Sequence, residues 1–534
     1  MRRREFGAAA ASLALAGALP VRWAEAQTRA ESLRILGQAA PNSFDPIGVG
    51  VNRTAIQVHW NTYDRLLRFG TMTRPDGTLY YDYNTIEGEL AERFETSADG
   101  KTLTLHLRRD ATFHDGSTVT AEDVKWSLDR VVASRIGRAQ FSTGSMTDPA
   151  QFVVVDPHTV RITTPQPDRF TLPNLAGTYP VIFNSGLVKE RAGANDPWGE
   201  EFLKTNIAGG GAFKLDQHTP GQSILLSRFD GWKSGPLPGF RRVLWQIVPA
   251  AQSRRSSLEK GDADIVQDLS PQDAASLAQA NLPNVKVLGV PMAGAFQFIG
   301  MNSRVPPFDN VTVRRAIAYA LPYQQMFEAA LFKRGAPLFG GRPNEPDGLQ
   351  WPQPLGYDTD PDRARALLRE AGLPNGFETT FSFELSLAPV AEPVSLLVQE
   401  ALGKVGIKVT INKVPPGQLG TLLERKEVPF FFEGSAAYFD APDYFFRIFY
   451  HGPTRWNFGS YNNPEFAALV DKTRYETDTA TYRRDIGRMI ALAKQDIPII
   501  LLWQPALDTG MLRSVEGYKY LFHRQLELRT LRRV

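Results

Sequence analysis

Apolar side chains recur at every second position in six short segments: 103–107, 160–163, 224–227, 243–248, 285–288 and 407–414. That period matches the pleat of a half-buried strand, so each segment is predicted to form one. Elsewhere the spacing turns helical, and the ends of those stretches carry start and stop signals. Thr120 with Asp123 three residues on makes an approximate capping box ahead of 124–132. Asp360-Pro361 opens a helix over 363–371 that Gly372 closes, and Asn463-Pro464 opens another in the same way. Strands and helices mixed at irregular spacing predict an α/β fold rather than an all-β sandwich. No repeat of fixed period and no low-complexity linker divides the chain, so its parts are expected to fold against one another. The proline-rich stretch 337–361 is expected to be an ordered surface loop.

The first 26 residues follow a different pattern. Arg2-Arg3-Arg4 precedes an apolar run at 8–19, and Ala24-Glu25-Ala26 follows as a small-x-small cleavage site. This is the order of a signal peptide, with mature protein expected to begin near Gln27. The run is 12 residues long and mostly alanine, whereas a membrane span needs about 20 strongly apolar residues. No later run is expected to reach spanning length. Arg3-Arg4-Glu5-Phe6 resembles the core of the twin-arginine signal, and Arg22 just before the cleavage site suits that route. The expected location is the periplasm, in soluble form, after removal of the leader.

With 534 residues, 43% of them hydrophobic, the chain can bury a large core and should hold two or three domains. Charged residues alternate in sign without a block of five like charges, and the net charge is +3. Removing the leader's four arginines and two glutamates lowers it to +1. No nucleic-acid partner is expected from such a balance. The chain has no cysteine. That excludes a disulfide scaffold, thiolate metal sites, a cysteine nucleophile and a lipid anchor on cysteine.

More specific residues begin with Leu90-Ala91-Glu92-Arg93-Phe94 and Asp99-Gly100-Lys101-Thr102-Leu103, then Phe113-His114-Asp115-Gly116 and Thr120-Ala121-Glu122-Asp123-Val124-Lys125-Trp126. Physically, Asp99-Gly100 turns the chain into an alternating strand and the capped helix packs Val124, Trp126 and Leu128 inward. Nearer the start of the chain stands Ser43-Phe44-Asp45-Pro46, and further along come Gly209-Gly210-Gly211-Ala212-Phe213, Leu258-Glu259-Lys260-Gly261-Asp262, and Val313-Arg314-Arg315-Ala316. Gly406-Ile407-Lys408-Val409 and Pro498-Ile499-Ile500-Leu501-Leu502 complete the series. In this order the segments resemble the signature of family 5 extracellular solute-binding proteins, the dipeptide and oligopeptide receptors, over essentially all of residues 31–534.

The resemblance implies a type II periplasmic-binding-protein fold (cluster C): two α/β lobes that close on solute about a hinge, plus an extra inserted domain. Lobe I is mapped to 31–62, 206–290 and 505–534, the inserted domain to 63–205, and lobe II to 291–504. It also implies partners: a small solute, and the permease and ATPase subunits of an ABC importer. A monomer is expected. No cofactor and no catalytic residue are expected.

In peptide-binding members, a segment between a glycine-tryptophan pair and an aspartate-proline turn carries the aspartate that holds the peptide's amino terminus. Here the stretch reads Gly434-Ser435-Ala436-Ala437-Tyr438-Phe439-Asp440-Ala441-Pro442, and Ala437 is assigned to that aspartate's place. An ammonium buried without a carboxylate is costly, so the solute is left open between a peptide and a sugar or opine-like compound. Asp440 is a candidate to supply the charge, with Glu433 as an alternative. Tyr438, Trp456 and Trp503 are pocket candidates, because aromatic faces suit sugars and apolar side chains. Ser435, Phe44, Trp60, Asn61, Arg455 and Asn457 join them, Arg455 as a fork for a carboxylate. Tyr444 to Phe449 has the spacing of a buried helix face.

A periplasmic enzyme is the rival class. No Gly-x-Ser-x-Gly elbow and no His-Glu-x-x-His occurs, and the seven histidines are scattered singly. Ser257-Leu258-Glu259-Lys260 has the spacing of penicillin-recognising enzymes but lacks their companion motifs. A carrier of a metal chelate, gripping its cargo through aromatics and an arginine rather than by direct ligation, is the third reading.

Overall fold

The computed structural model describes residues 29–48, 50–75, 77–341, 348–453 and 456–534. The leader expected at 1–26 and the candidate Arg455 lie outside them.

Each alternating segment forms a strand, and most bury one alternating face. In Thr102–Leu107, Leu103, Leu105 and Leu107 are buried while their neighbours are half-exposed, the direct result of a side-chain period of two. The others form Thr159–Thr163, Ser223–Arg228, Arg242–Ile247, Val285–Pro291 and Lys408–Val414. Thr120 and Asp123 form a reciprocal capping box at the start of helix Ala121–Ala133, and Asp123 also accepts from Ser185. Asp360 caps Pro361–Glu370 by accepting from the Arg363 amide, and Asn463 caps Pro464–Thr473. In each case a short acceptor satisfies amides that the first helical turn leaves unpaired.

Two expectations fail. The proline-rich stretch is not merely a surface loop: its described part buries Trp351, Leu355 and Tyr357, with Trp351 against Phe446 at 5.1 Å between centroids. The expectation of no further spanning-length run also needs correction, since Leu385–Gly403 is long and apolar enough by length and composition. Its helix, Ala388–Gly403, turns Ala391, Val394, Val398 and Leu402 into the core. Its apolarity serves packing on one side and leaves Leu396 exposed on the other.

The largest sheet has twelve strands in two halves that share one 14-residue strand, Ile499–Leu512. The first part of that strand pairs with Ala295–Met301 and Gly335–Pro337, and the second with Val285–Pro291 and Ile265–Val266. Between them, Gln504, Pro505 and Ala506 are only half-buried, at the one stretch where burial of this strand relaxes. Because Val285–Pro291 also leads directly into Ala295–Met301, two neighbouring crossings join the halves, the arrangement expected of a hinge. Segment 63–205 adds a four-stranded antiparallel sheet, while strand Leu79–Gly88 pairs in parallel with Lys519–Tyr520 near the C terminus. One large apolar core lies within 296–503, and Phe170 joins it from the added segment. A second core unites residues from 33 to 290 with 507–531.

Candidate functional site

Segment 63–205 and the half containing 291–504 face each other across a cleft, and between them lies a cavity of about 710 Å³. One wall is helix Arg135–Phe141, which presents Arg135, Ile136, Ala139 and Gln140, with Thr143 beyond it. Ser134 caps this helix through the Gly137 amide. The facing wall is built from Ala436 at the end of strand Phe430–Ala436, from Tyr438, and from Tyr444, Ile448 and Phe449 of helix Pro442–Phe449. Trp456, Tyr179 and Glu424 complete the lining. The result is mostly apolar, with five aromatic rings, one guanidinium and one carboxylate. Neither Arg135 nor Glu424 has a side-chain hydrogen bond or ion pair with any described residue, so both remain available to a ligand.

Tyr438 is central. Its ring stacks on Tyr179, 5.4 Å apart and 14° from parallel, and meets His523 at 4.4 Å. Its hydroxyl accepts from the Thr178 amide (3.0 Å) and pairs with the Thr178 hydroxyl (2.6 Å). Burial holds its proton on, well above the ordinary tyrosine range, so the group can serve as donor and acceptor together. His523 Nε2 bonds the Tyr438 carbonyl at 3.0 Å, and burial pushes this imidazole down to about 4, keeping it neutral.

Other contacts tie the same two parts together. Phe170 stacks on Phe439 at 5.1 Å, Arg447 donates to the Thr143 carbonyl and Arg474 to the Ser142 carbonyl, and Arg169 lies over the Tyr482 ring. Tyr81 donates to the Asp440 carboxylate at 2.7 Å. These contacts hold the two parts together across the cleft.

Of the residues singled out in the sequence, Tyr438 and Trp456 line the cavity; Trp456 is 40% exposed, edge-on to Phe449 and Phe458. Ser435 sits one position before the lining, opposite Phe296. Ala437 is not among the lining residues: its amide bonds the Gly294 carbonyl and its methyl is buried, while Ala436 and Tyr438 on either side do line the cavity. None of these three positions offers a carboxylate. Asp440 is engaged by Tyr81, and burial raises its pKa above the usual carboxylate range.

The rest stand apart from the cavity. Trp503 is wholly buried against Phe327 with its indole N–H on Gln297, because both faces of its strand are covered. Phe44 packs edge-on to His218. Trp60 donates to Glu527 under the Arg65 guanidinium, and Asn61 clamps the Leu526 and Leu528 backbone. Asn457 uses its amide on Gly452 and Tyr461, fixing a turn. Conversely, Arg135, Gln140, Tyr179 and Glu424 escaped sequence reasoning. They sit on two short helices and a turn that show no distinctive spacing.

Residues 85–457 match the bacterial extracellular solute-binding proteins, family 5. The chain belongs to that family. Over 495 residues it is 28% identical to the probable D,D-dipeptide-binding periplasmic protein DdpA of Escherichia coli K12, spanning 92% of each chain. It is 28% identical over 401 residues to the glutathione-binding protein GsiB of Pectobacterium atrosepticum, covering 73% of this chain and 75% of that one. Among solved structures, the binding protein AgaA from A. tumefacien R10, in complex with agropinic acid, superposes with a TM-score of 0.73 at 25% identity, covering 94% of this chain and 99% of that one. The fold is thus that of type II periplasmic binding proteins, and the chain is a solute-binding protein that serves an ABC importer.

Proposed function

We propose that the solute is a compact amino-acid conjugate, a short peptide or an opine-like compound, held in the aromatic cavity between Arg135 and Glu424. The observation that carries this reading is the lining itself. Stacked Tyr179 and Tyr438, with Phe449 and Trp456, offer flat apolar faces, while one uncommitted guanidinium and one uncommitted carboxylate approach from opposite walls. A guanidinium matches a carboxylate in bidentate geometry, and the glutamate supplies the counter-charge for an amine that 436–438 lacks. The named relatives support it, since a D,D-dipeptide, glutathione and agropinic acid all bear carboxylates.

In this reading the chain is a monomeric receptor without catalytic chemistry. The described residues that line the cavity include no serine, cysteine or histidine to act as nucleophile or base. It works in the periplasm after twin-arginine export and leader removal, with 31–62, 206–290 and 505–534 as lobe I, 63–205 inserted, and 291–504 as lobe II. Closure presents the loaded shape to the permease and ATPase.

The test is a thermal-shift screen of the mature protein against dipeptides, glutathione, opine-like conjugates, oligosaccharides and metal chelates. A ligand at a hundred times its dissociation constant adds about 2.7 kcal/mol of stability. Arg135→Ala and Glu424→Gln should each weaken a zwitterionic ligand by about tenfold or more. A sugar or chelate that binds both variants as it binds the parent would overturn the assignment.

A further inference from the structure

A second cavity, of about 260 Å³, lies on the other side of the segment that carries Trp456. Arg304, His451, Asn457, Ser460 and Asn462 line it together with Tyr450, and no described lining residue is an aspartate or glutamate. The Arg304 side chain makes no hydrogen bond or ion pair with any described residue. Ser460 is 5% exposed, yet its hydroxyl has no hydrogen-bond partner among the described residues, and the neighbouring Ser303 hydroxyl, outside the recess, likewise has none. Ser303 is held there by its amide, which donates to the Gly459 carbonyl at 2.9 Å.

Buried hydroxyls without partners are uncommon, and each is destabilising unless something satisfies it. Nearby carboxylates do not serve this purpose. Asp496 is taken by the Tyr461 hydroxyl and the Asn463 amide, and Asp471 stands out in solvent 3.8 Å from His451. A second cation adds to the positive character: Lys426 donates to the Asn457 carbonyl at 2.8 Å, and burial together with the charge of Arg304 brings it down to about 8. An arginine fork, the Asn462 side-chain amide and the Ser460 hydroxyl, in a small recess whose described lining holds no carboxylate, form a set of donors suited to an oxyanion.

We infer that this recess is a binding site for a small oxyanion of the phosphate or sulfate type, separate from the solute cavity. Its position also implies coupling between the two. His451, Gly452, Pro453 and Asn457 face the oxyanion recess, while Phe449 and Trp456 on the same stretch face the solute. An anion held beside His451 and Asn457 fixes the residue next to Asn457, Trp456, and by linkage solute tightens the anion by the same factor.

Isothermal titration of the mature protein with sodium phosphate, sulfate or acetate, against chloride at matched ionic strength, tests the site without any solute. Phosphate and sulfate are expected to bind saturably, more tightly than acetate. Arg304→Ala should weaken them by about tenfold or more, because charge-assisted hydrogen bonds are lost. Ser460→Ala, a smaller change in the recess, should weaken them severalfold while the unliganded melting temperature is kept. Equal phosphate binding by the parent and Arg304→Ala, or none in the parent, would overturn the inference. So would Arg304-dependent sedimentation with phosphatidylglycerol vesicles in a protein that ignores free phosphate, since the ligand would then be a lipid headgroup.

Discussion

Removing one hydroxyl from Tyr81 should loosen the clamp without unfolding it. Tyr81 is 1% exposed, stacked on Tyr80 at 4.8 Å and edge-on to Phe522 at 5.5 Å. Phenylalanine preserves all of that packing. What it loses is the 2.7 Å bond to Asp440, which lies on the opposite side of the cleft. A hydrogen bond to a charged group contributes about 1.5–3 kcal/mol, and a buried acceptor left unsatisfied falls in the same range. Because the bond spans the cleft, the loss is borne by the closed state, and the open state is little affected. Closure should therefore become roughly 10- to 150-fold less favourable, and apparent solute affinity should fall by up to that factor where the closed form is the minor unliganded state. The unliganded Tyr81→Phe protein should show a larger radius of gyration by X-ray scattering and faster amide exchange over 438–441, with its melting temperature nearly unchanged. If radius, exchange and affinity all match the parent, the bond does not govern closure and the reasoning fails.

Other changes separate core from cavity. Trp503→Ala should cost about 3–5 kcal/mol in denaturant unfolding; a stable variant that has lost only solute binding would restore Trp503 to the cavity. Trp456→Ala should leave stability within about 0.5 kcal/mol yet weaken solute by tenfold or more, as titration calorimetry would show. His523 is kept neutral by burial, with its pKa lowered to about 4 against an ordinary 6.5. Its contribution to the closed form is present above pH 6.5 and fades as pH falls toward 4; a pH series of scattering profiles should show that opening in the parent and less of it in His523→Gln. Asp64, bonded to Trp232 at 2.8 Å and Ser234 at 3.1 Å, is pushed up to about 7, first by burial and then by the charge of Glu89. Its folded form prefers the proton, so the contribution of this one group to stability is fully present below about pH 4 and is lost as pH rises through 7. Asp64→Asn should remove that slope from melting temperatures measured between pH 4 and 8.

The chain's local chemistry was readable in advance. Alternation at 103–107 and 224–227 needs only a period of two, and the caps at Thr120, Asp360 and Asn463 need only an acceptor beside unpaired amides, so these elements follow from residues a few positions apart. Whole-chain order of short motifs likewise pointed to the receptor family. The cavity was less legible. Trp456 and Trp503 are equal candidates as residue types, yet one sits in a turn and lines the cavity while the other is sealed between two covered sheet faces. Tyr438 was identifiable from its segment. Its partners Thr178 and Tyr179 lie about 260 residues away, and no pattern local to either segment connects them. Arg135 and Glu424 form a pair of opposite charges only because closure brings two short helices to the same cavity. Period and capping are properties of neighbouring backbone groups, and the sequence by itself determined them. Exposure and the choice of facing residues depend on how distant elements pack, and only the tertiary structure decided those.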